Sequence, residues 1–324
     1  MHPRIHAASQ PDAVALIMAG SGETVSYAQL DARANRGAHA LRALGAQIGD
    51  TVAMACDNRP EFFDLFWATQ RAGITLVPIS TRLKADEIAY IVEDSSSKVL
   101  LISEYLTDTA QELAKARASL PGLEHLLAFG AIAGLSSWGE LCAAQPETQI
   151  ADEASGERMA YSSGTTGRPK GIRKSTPVPG IDPIVMQGGA KLFGHLFPFA
   201  GDSVYLSPAP LYHAAPMGFT TTTQSFGGTV VVMEKFDPEA YLALIERHKV
   251  TLTQVVPTMF VRLLKLPEQV RTRHDYSSLL AMIHAAAPCP VPIKQAMIEW
   301  LGPVIEEYYA GTEGSGFVTV SSAG

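Results

Sequence analysis

The sequence predicts an α/β fold of layered, mainly parallel sheets with helices on both faces (α/β/α). Three observations carry that expectation. Short continuous runs of Val, Ile and Leu recur, such as Lys98–Ile102 (KVLLI) and Thr229–Met233 (TVVVM), and such runs mark strands buried on both faces. These runs alternate with segments of helical periodicity, the order expected of βαβ units. Glycine (27) and proline (21) are spread along the whole chain, which suits many strand–loop–helix transitions.

The elements follow in order. The spacing predicts a helix over Tyr27–Leu44, with Ser26 as its N-cap and an apolar stripe of Leu30, Ala34, Ala38, Leu41 and Leu44. Gly45 stands where a left-handed C-terminal cap is wanted. Thr51–Cys56 reads as a buried strand, Pro60–Ala72 as a helix, Thr75–Ile79 as a strand, Ala85–Glu93 as a helix and Lys98–Ile102 as a strand again. Ala110–Leu127 is rich in Ala and Leu and reads as helix, while the polar stretch Ala143–Glu157 reads as loop. Arg158–Ser162, Ser203–Leu206, Thr229–Met233 and Leu252–Val256 complete the expected strands. No repeat occurs at a period of 20–50 residues.

Composition narrows the function classes. A chain of 324 residues suggests about two domains at ~150 residues each. With 47% hydrophobic and 18% charged residues it is neither disordered nor a coiled coil. The net charge of −7 disfavours a groove for a nucleic-acid backbone. No apolar run reaches the roughly 20 residues needed to span a bilayer, and the start lacks the order of a signal peptide. Cys56, Cys142 and Cys289 are odd in number and far apart, which fits a reducing, cytoplasmic setting better than a disulfide framework.

The most informative stretch is Tyr161–Gly171, YSSGTTGRPKG. Ser162, Ser163, Gly164, Thr165, Thr166 and Gly167 carry little side-chain bulk, so their hydroxyls and backbone N–H groups can surround phosphate oxygens. Lys170 adds a mobile positive charge for the same anion. The loop follows an expected strand, where α/β folds bind ligands. Composition alone also allows a flexible Gly/Ser linker, although linkers rarely end in Pro-Lys-Gly after a buried strand. The spacing Gly164-x-x-Gly167-x-x-Lys170 is not that of a P-loop NTPase, and neither G-x-G-x-x-G nor G-x-S-x-G is found here.

YSSGTTGRPKG resembles the signature loop of the adenylate-forming superfamily: acyl-CoA synthetases, luciferases and peptide-synthetase adenylation domains. Three later segments agree in order. Pro210–Pro216 (PLYHAAP) is similar to the family's Pro-x-x-His segment. His284–Pro290 (HAAAPCP) resembles its small-residue turn, and Glu307–Gly314 (EYYAGTEG) its Tyr-Gly-x-Thr-Glu element. The likeness runs from Thr24–Asp31 (TVSYAQLD) to the end of the chain and looks closest to fatty-acid or aryl acyl-CoA ligases.

The resemblance implies a set of roles. Ser162 to Gly167 and Lys170 would hold the ATP phosphates, with Thr165, Thr166 and Lys170 foremost. Glu313, with Thr165, would hold Mg²⁺, a hard cation suited to oxygen ligands. Thr312 would bond the adenylate phosphate, and Tyr309 would stack on adenine. Ala286, Ala287 and Pro288 would border the adenine; Ala285, Ala286, Ala310 and Gly311 would border the acid. His213 would be a wall between the acid pocket and the coenzyme A channel, a positioning residue and not a base. Read alone, His213 is as well explained as a hydrogen-bonded core histidine, the alanines as packing residues, and Met217, Phe219, Phe226 and Val256 as core or as the lining of an acyl tunnel. Ala286 and Ala310 stand where members often carry glycine, and the added methyl groups narrow a pocket.

The implied reaction joins a carboxylic acid to ATP as an acyl-adenylate, followed by transfer to coenzyme A. The resemblance further implies that residues 1–324 form one large N-terminal adenylation domain. It would comprise two interleaved subdomains, at about residues 50–185 and at 10–48 with 200–320, cut before the β-barrel part and the small C-terminal domain. The other readings are a non-catalytic nucleotide- or acyl-binding protein and a kinase-like phosphotransferase. A homodimer is compatible with each.

Overall fold

The computed structural model describes residues 2–162, 168–184, 188–311 and 316–322, without the side chains of residues 162, 188 and 189. Helix α1 (Arg4–Ser9) leads into β1 (Val14–Met18) and β2 (Thr24–Ser26). Helix α2 (Tyr27–Ala43) starts at a capping box: Gln29 N–H donates to Ser26 Oγ, and the Gln29 side chain accepts from Ser26 N–H. β3 (Thr51–Ala55), α3 (Pro60–Arg71), β4 (Thr75–Ile79), α4 (Ala85–Asp94) and β5 (Ser97–Ser103) follow. Then come α5 (Thr107–Lys115), β6 (His125–Phe129), β7 (Ser136–Ser137), α6 (Trp138–Ala143), β8 (Glu157–Ser162) and β9 (Lys170–Arg173). The rest runs α7 (Gly188–Leu196), β10 (Val204–Ser207), α8 (Ala214–Phe226), β11 (Thr229–Val232), α9 (Pro238–His248), β12 (Leu252–Val255), α10 (Pro257–Leu264) and α11 (Glu268–Arg271). It closes with β13 (Ala281–His284), α12 (Val291–Leu301), β14 (Ile305–Ala310) and β15 (Phe317–Ser321).

The long helix expected over Ala110–Leu127 is divided. It stops at Lys115, and its last leucines belong to β6. Pro121 and Gly122 lie inside that run, and both break a helix.

The chain forms two compact units. The first holds Met1–Ala13 and Ser26–Met186; the second holds Val14–Val25 and Gln187–Gly324. Residues 26–48 thus group with the first unit, where the sequence division placed them in the other, because α2 packs along α3. The first unit carries a seven-stranded sheet, β7-β6-β5-β3-β4-β8-β9, parallel in every pair except β8–β9. Its core sets Ala53, Val77, Leu100 and Ile102 of the sheet against Ile88 and Ile91 of α4 and Leu113 of α5. The second unit is built on an eight-stranded sheet, β15-β14-β13-β12-β10-β11-β1-β2, with β14–β15 antiparallel and the pairs from β1 to β14 parallel. Leu206, Val231, Val255, Met282 and Ile305 of that sheet pack against Leu242 and Ile245 of α9, Phe260 of α10 and Met297 of α12.

Helix α8 is unusual in burying a polar run, Thr220 to Ser225. Its hydroxyls bond back onto the preceding turn: Thr220 Oγ1 donates to Pro216 O (2.8 Å), Thr221 to Met217 O (2.8 Å), Thr223 to Phe219 O (2.9 Å) and Ser225 Oγ to Thr221 O (2.8 Å).

In the first unit a charge cluster closes over the fully buried Arg71. Its guanidinium pairs with Asp31 and lies 3.5 Å from Glu153, which also pairs with Arg4. His2 Nδ1 accepts from Arg71 Nη2 (3.3 Å) and from Arg4 N–H (3.2 Å), so Nε2 carries the proton and faces Trp67 O (3.4 Å). A protonated imidazole would set N–H against N–H here. Burial, then the Arg71 charge, push His2 well below its usual value. Below about pH 6.5 the unfolded chain binds a proton at His2 that the folded chain refuses, so stability falls as pH falls. Between pH 7 and 5.5 the loss from His2 is expected to be about 1.2 kcal/mol. Urea denaturation of the wild type and His2→Gln at both pH values checks this, and an equal loss in the two proteins would refute it.

Candidate functional site

In the first unit, β8 and β9 form a hairpin whose last pair is Ser162 and Lys170, so the glycine-rich segment is the loop that closes it. Ser163, Gly164, Thr165, Thr166 and Gly167 lie outside the described residues, as does the side chain of Ser162. What the structure shows is how the base of the loop is held. Both anchors come from α4. Tyr90 Oη donates to Pro169 O (3.2 Å), and the Arg168 guanidinium lies 4.9 Å above the Tyr90 ring. Tyr161 Oη donates to Asp94 Oδ2 (2.6 Å). Burial, and then Asp94, raise the Tyr161 phenol far above its ordinary value, so it remains a donor. A Cβ at Gly171 would lie 2.9 Å from Tyr161 Cζ and 2.2 Å from Met159 Cε, so any side chain there displaces the anchor ring. Gly156, just before β8, is constrained by backbone: its Cβ would meet Thr69 O at 2.4 Å and Ile74 O at 2.7 Å. Lys170 is exposed on the edge strand and has no ion pair among the described residues.

In the second unit the remaining predicted residues lie at or beyond the carboxyl ends of strands. Ala285, Ala286, Ala287 and Pro288 follow β13, while Tyr309 and Ala310 end β14 and Gly311 follows it. Because His284 pairs with Glu307 in register, these two segments lie on neighbouring strands. This edge of a parallel sheet is the usual ligand side. Ala285 is buried, and Ala286 to Pro288 are exposed. Ala286 adopts φ +75°, the left-handed region, where its methyl group costs about 1–2 kcal/mol. Tyr309 is 79% exposed, whereas Tyr308 turns inward and stacks on Phe317 (4.8 Å, 8°). An exposed ring at a strand end is free to stack on a base. His213 is the N-cap of α8 and is exposed, so the core-histidine reading does not apply; its ring lies 4.5 Å from that of Tyr212. Met217 and Phe219 are core residues, and Phe219 stacks on Phe193 (4.5 Å, 13°). Thr312 and Glu313 lie outside the described residues. Among the described residues, no group of three or more His, Cys, Asp or Glu could hold a metal ion.

Sequence reasoning missed one cluster beside this edge. His284 is fully buried, edge-on to Phe260 (5.2 Å), and neither ring nitrogen has a hydrogen-bond partner. Its Nε2 is 3.8 Å from Glu307 Oε2, which accepts from Lys294 Nζ (2.7 Å). The Lys294 bond holds Glu307 below its usual carboxylate range, and burial holds His284 low and neutral. The only available signal was position, since His284 immediately precedes the alanine turn.

The AMP-binding enzyme family model matches residues 4–324. A feruloyl-CoA synthase of Amycolatopsis sp is 31% identical over 302 residues, covering 92% of this chain and 56% of that protein. The chain therefore spans little more than half the length of that relative. The inhibitor-bound N-terminal domain of FACL13 from Mycobacterium tuberculosis superposes with a TM-score of 0.86 at 26% identity, over 99% of this chain and 78% of that one. ATP-bound MatB from Rhodopseudomonas palustris gives 0.80 at 26%, over 100% and 63%. Among the described residues no helix is long and apolar enough to cross a membrane.

Proposed function

This chain belongs to the AMP-binding enzyme family, and from that premise we propose that it activates a fatty or aryl carboxylic acid with ATP as an acyl-adenylate. The observation that carries the reading is the hairpin loop Ser162–Lys170, clamped at both sides by α4 with an exposed lysine at its rim. A carboxylate oxygen attacks the α-phosphorus, the bond to the β-phosphate oxygen breaks, and pyrophosphate leaves. The acid is already ionised near pH 7, so the step needs charge stabilisation on phosphate more than a base. Lys170, Thr165 and Thr166 supply it, with Ser162, Ser163, Gly164 and Gly167 lending backbone and hydroxyl donors. Tyr309 stacks on adenine beside Ala286, Ala287 and Pro288, and Thr312 bonds the adenylate phosphate. His213, Ala285, Ala310 and Gly311 border the acid. Mg²⁺, held by Glu313 and Thr165, supplies further phosphate neutralisation when bound.

Thioester formation, in which coenzyme A sulfur attacks the acyl carbon and AMP leaves, is proposed for the longer form that the relatives have; for these 324 residues alone we expect impaired turnover. Acid-dependent exchange of labelled pyrophosphate into ATP tests the first step against a panel of carboxylic acids. Release of ADP in place of AMP and pyrophosphate would overturn it. Nucleotide binding without exchange would favour the binding-protein reading.

A further inference from the structure

Two locally unfavourable features stand side by side at the end of β13. One is His284, buried with both ring nitrogens unsatisfied. The other is Ala286, a residue with no polar side chain, held at φ +75°. Among the described residues, the two other non-glycine positions at positive φ, Ser96 and Lys249, are both polar and follow helices α4 and α9 at their C-terminal ends, where left-handed residues are common. Ala286 has no such excuse. A buried donor or acceptor without a partner, and a strained backbone, each raise the energy of the state that contains them. They persist where the surrounding structure holds them, and they cluster at ligand clamps and switch regions, where the strain is part of the mechanism.

The geometry offers the relief. The 3.8 Å gap between His284 Nε2 and Glu307 Oε2 is too long for a hydrogen bond and too short to hold a bridging water. About 1 Å of movement between β13 and β14 closes it, making a charge-assisted bond with Lys294 still on the same carboxylate. Both strands run directly into the segments assigned above to adenine and acid.

We propose that the Ala285–Pro288 turn is a two-state element, strained without ligand, and that His284 is a positioning residue that captures Glu307 when the turn relaxes around a bound acyl-adenylate. The inference rests on the adenylate reading of this site. In the relaxed state Ala286 leaves the left-handed region, and the imidazole N–H donates to Glu307. The adenylate is bound more tightly because binding releases what the free protein stores.

Two variants test this on the chain as it stands, with acylsulfamoyl-adenosines of several acyl groups as stable adenylate probes. Ala286→Gly removes the strain from the free state, so its Tm should rise by roughly 2–4 °C and its Kd for the probes by about five-fold. His284→Phe removes the unsatisfied nitrogens at a side chain that is fully buried against Phe260. It should also hold or raise Tm while weakening binding several-fold. A higher Tm with unchanged Kd in Ala286→Gly means that the turn keeps its conformation in the complex, and the proposal fails. If His284→Phe does not fold, the Ala286→Gly pair of measurements decides alone. If no probe binds the wild type, the adenylate reading itself falls and takes this inference with it.

Discussion

Replacing Arg71 by leucine is expected to destabilise the first unit by about 3–5 kcal/mol, the usual result of removing one partner from a buried ion pair. Arg71 is fully buried on α3, and its guanidinium faces Asp31 of α2 and Glu153. Leucine fills much of the same space but leaves two largely buried carboxylates, of which Glu153 keeps the Arg4 cation while Asp31 loses its ion pair with Arg71. His2 also loses one of the two donors to its Nδ1. Urea denaturation followed by tryptophan fluorescence is suited to the measurement, because Trp67 lies on α3 beside His2. A loss below about 1 kcal/mol would mean that the cluster is solvated and contributes little.

Replacing Lys170 by alanine should weaken MgATP binding by about 10- to 100-fold, the range for losing a hydrogen bond to a charged group. The side chain is exposed at the rim of the loop and has no acidic partner among the described residues to retain it. Stability should hardly change, since the side chain is exposed. Lys170→Arg should recover part of the loss, because the charge survives while the shape of the donor does not. Titration calorimetry with MgATP reads both. Wild-type affinity in Lys170→Ala would remove the lysine from the phosphate site and, with it, the main physical argument for the loop.

Much of the fold was legible because local signals and burial pointed the same way. Ser26, the apolar stripe from Leu30 to Leu41 and Gly45 bound α2 to within a residue or two. Thr75–Ile79 matches β4 end to end. The misread helix after Ala110 failed for a local reason, Pro121-Gly122, which the Ala/Leu composition outweighed. β14 went unread as a strand because Glu306, Glu307, Tyr308 and Tyr309 show neither strict alternation nor an apolar run. The site followed the same division. Its motif residues are contiguous in sequence and could be seen there. The His284–Glu307–Lys294 cluster draws on β13, β14 and α12, and only their register brings it together.

Helix α8 carries a different lesson, about tolerance to substitution. A hydroxyl that bonds to a carbonyl four residues back makes no demand on its surroundings, so buried Thr220, Thr221 and Thr223 present their neighbours with little more than the outline of a valine. Valine at these positions would keep that outline and should be accepted. Alanine would leave a hole, and asparagine would bring polar atoms that the turn above cannot satisfy. A mutational library at Thr220, Thr221 and Thr223 should therefore accept valine as readily as threonine and reject both smaller residues and amides, although the segment reads TTTTQS.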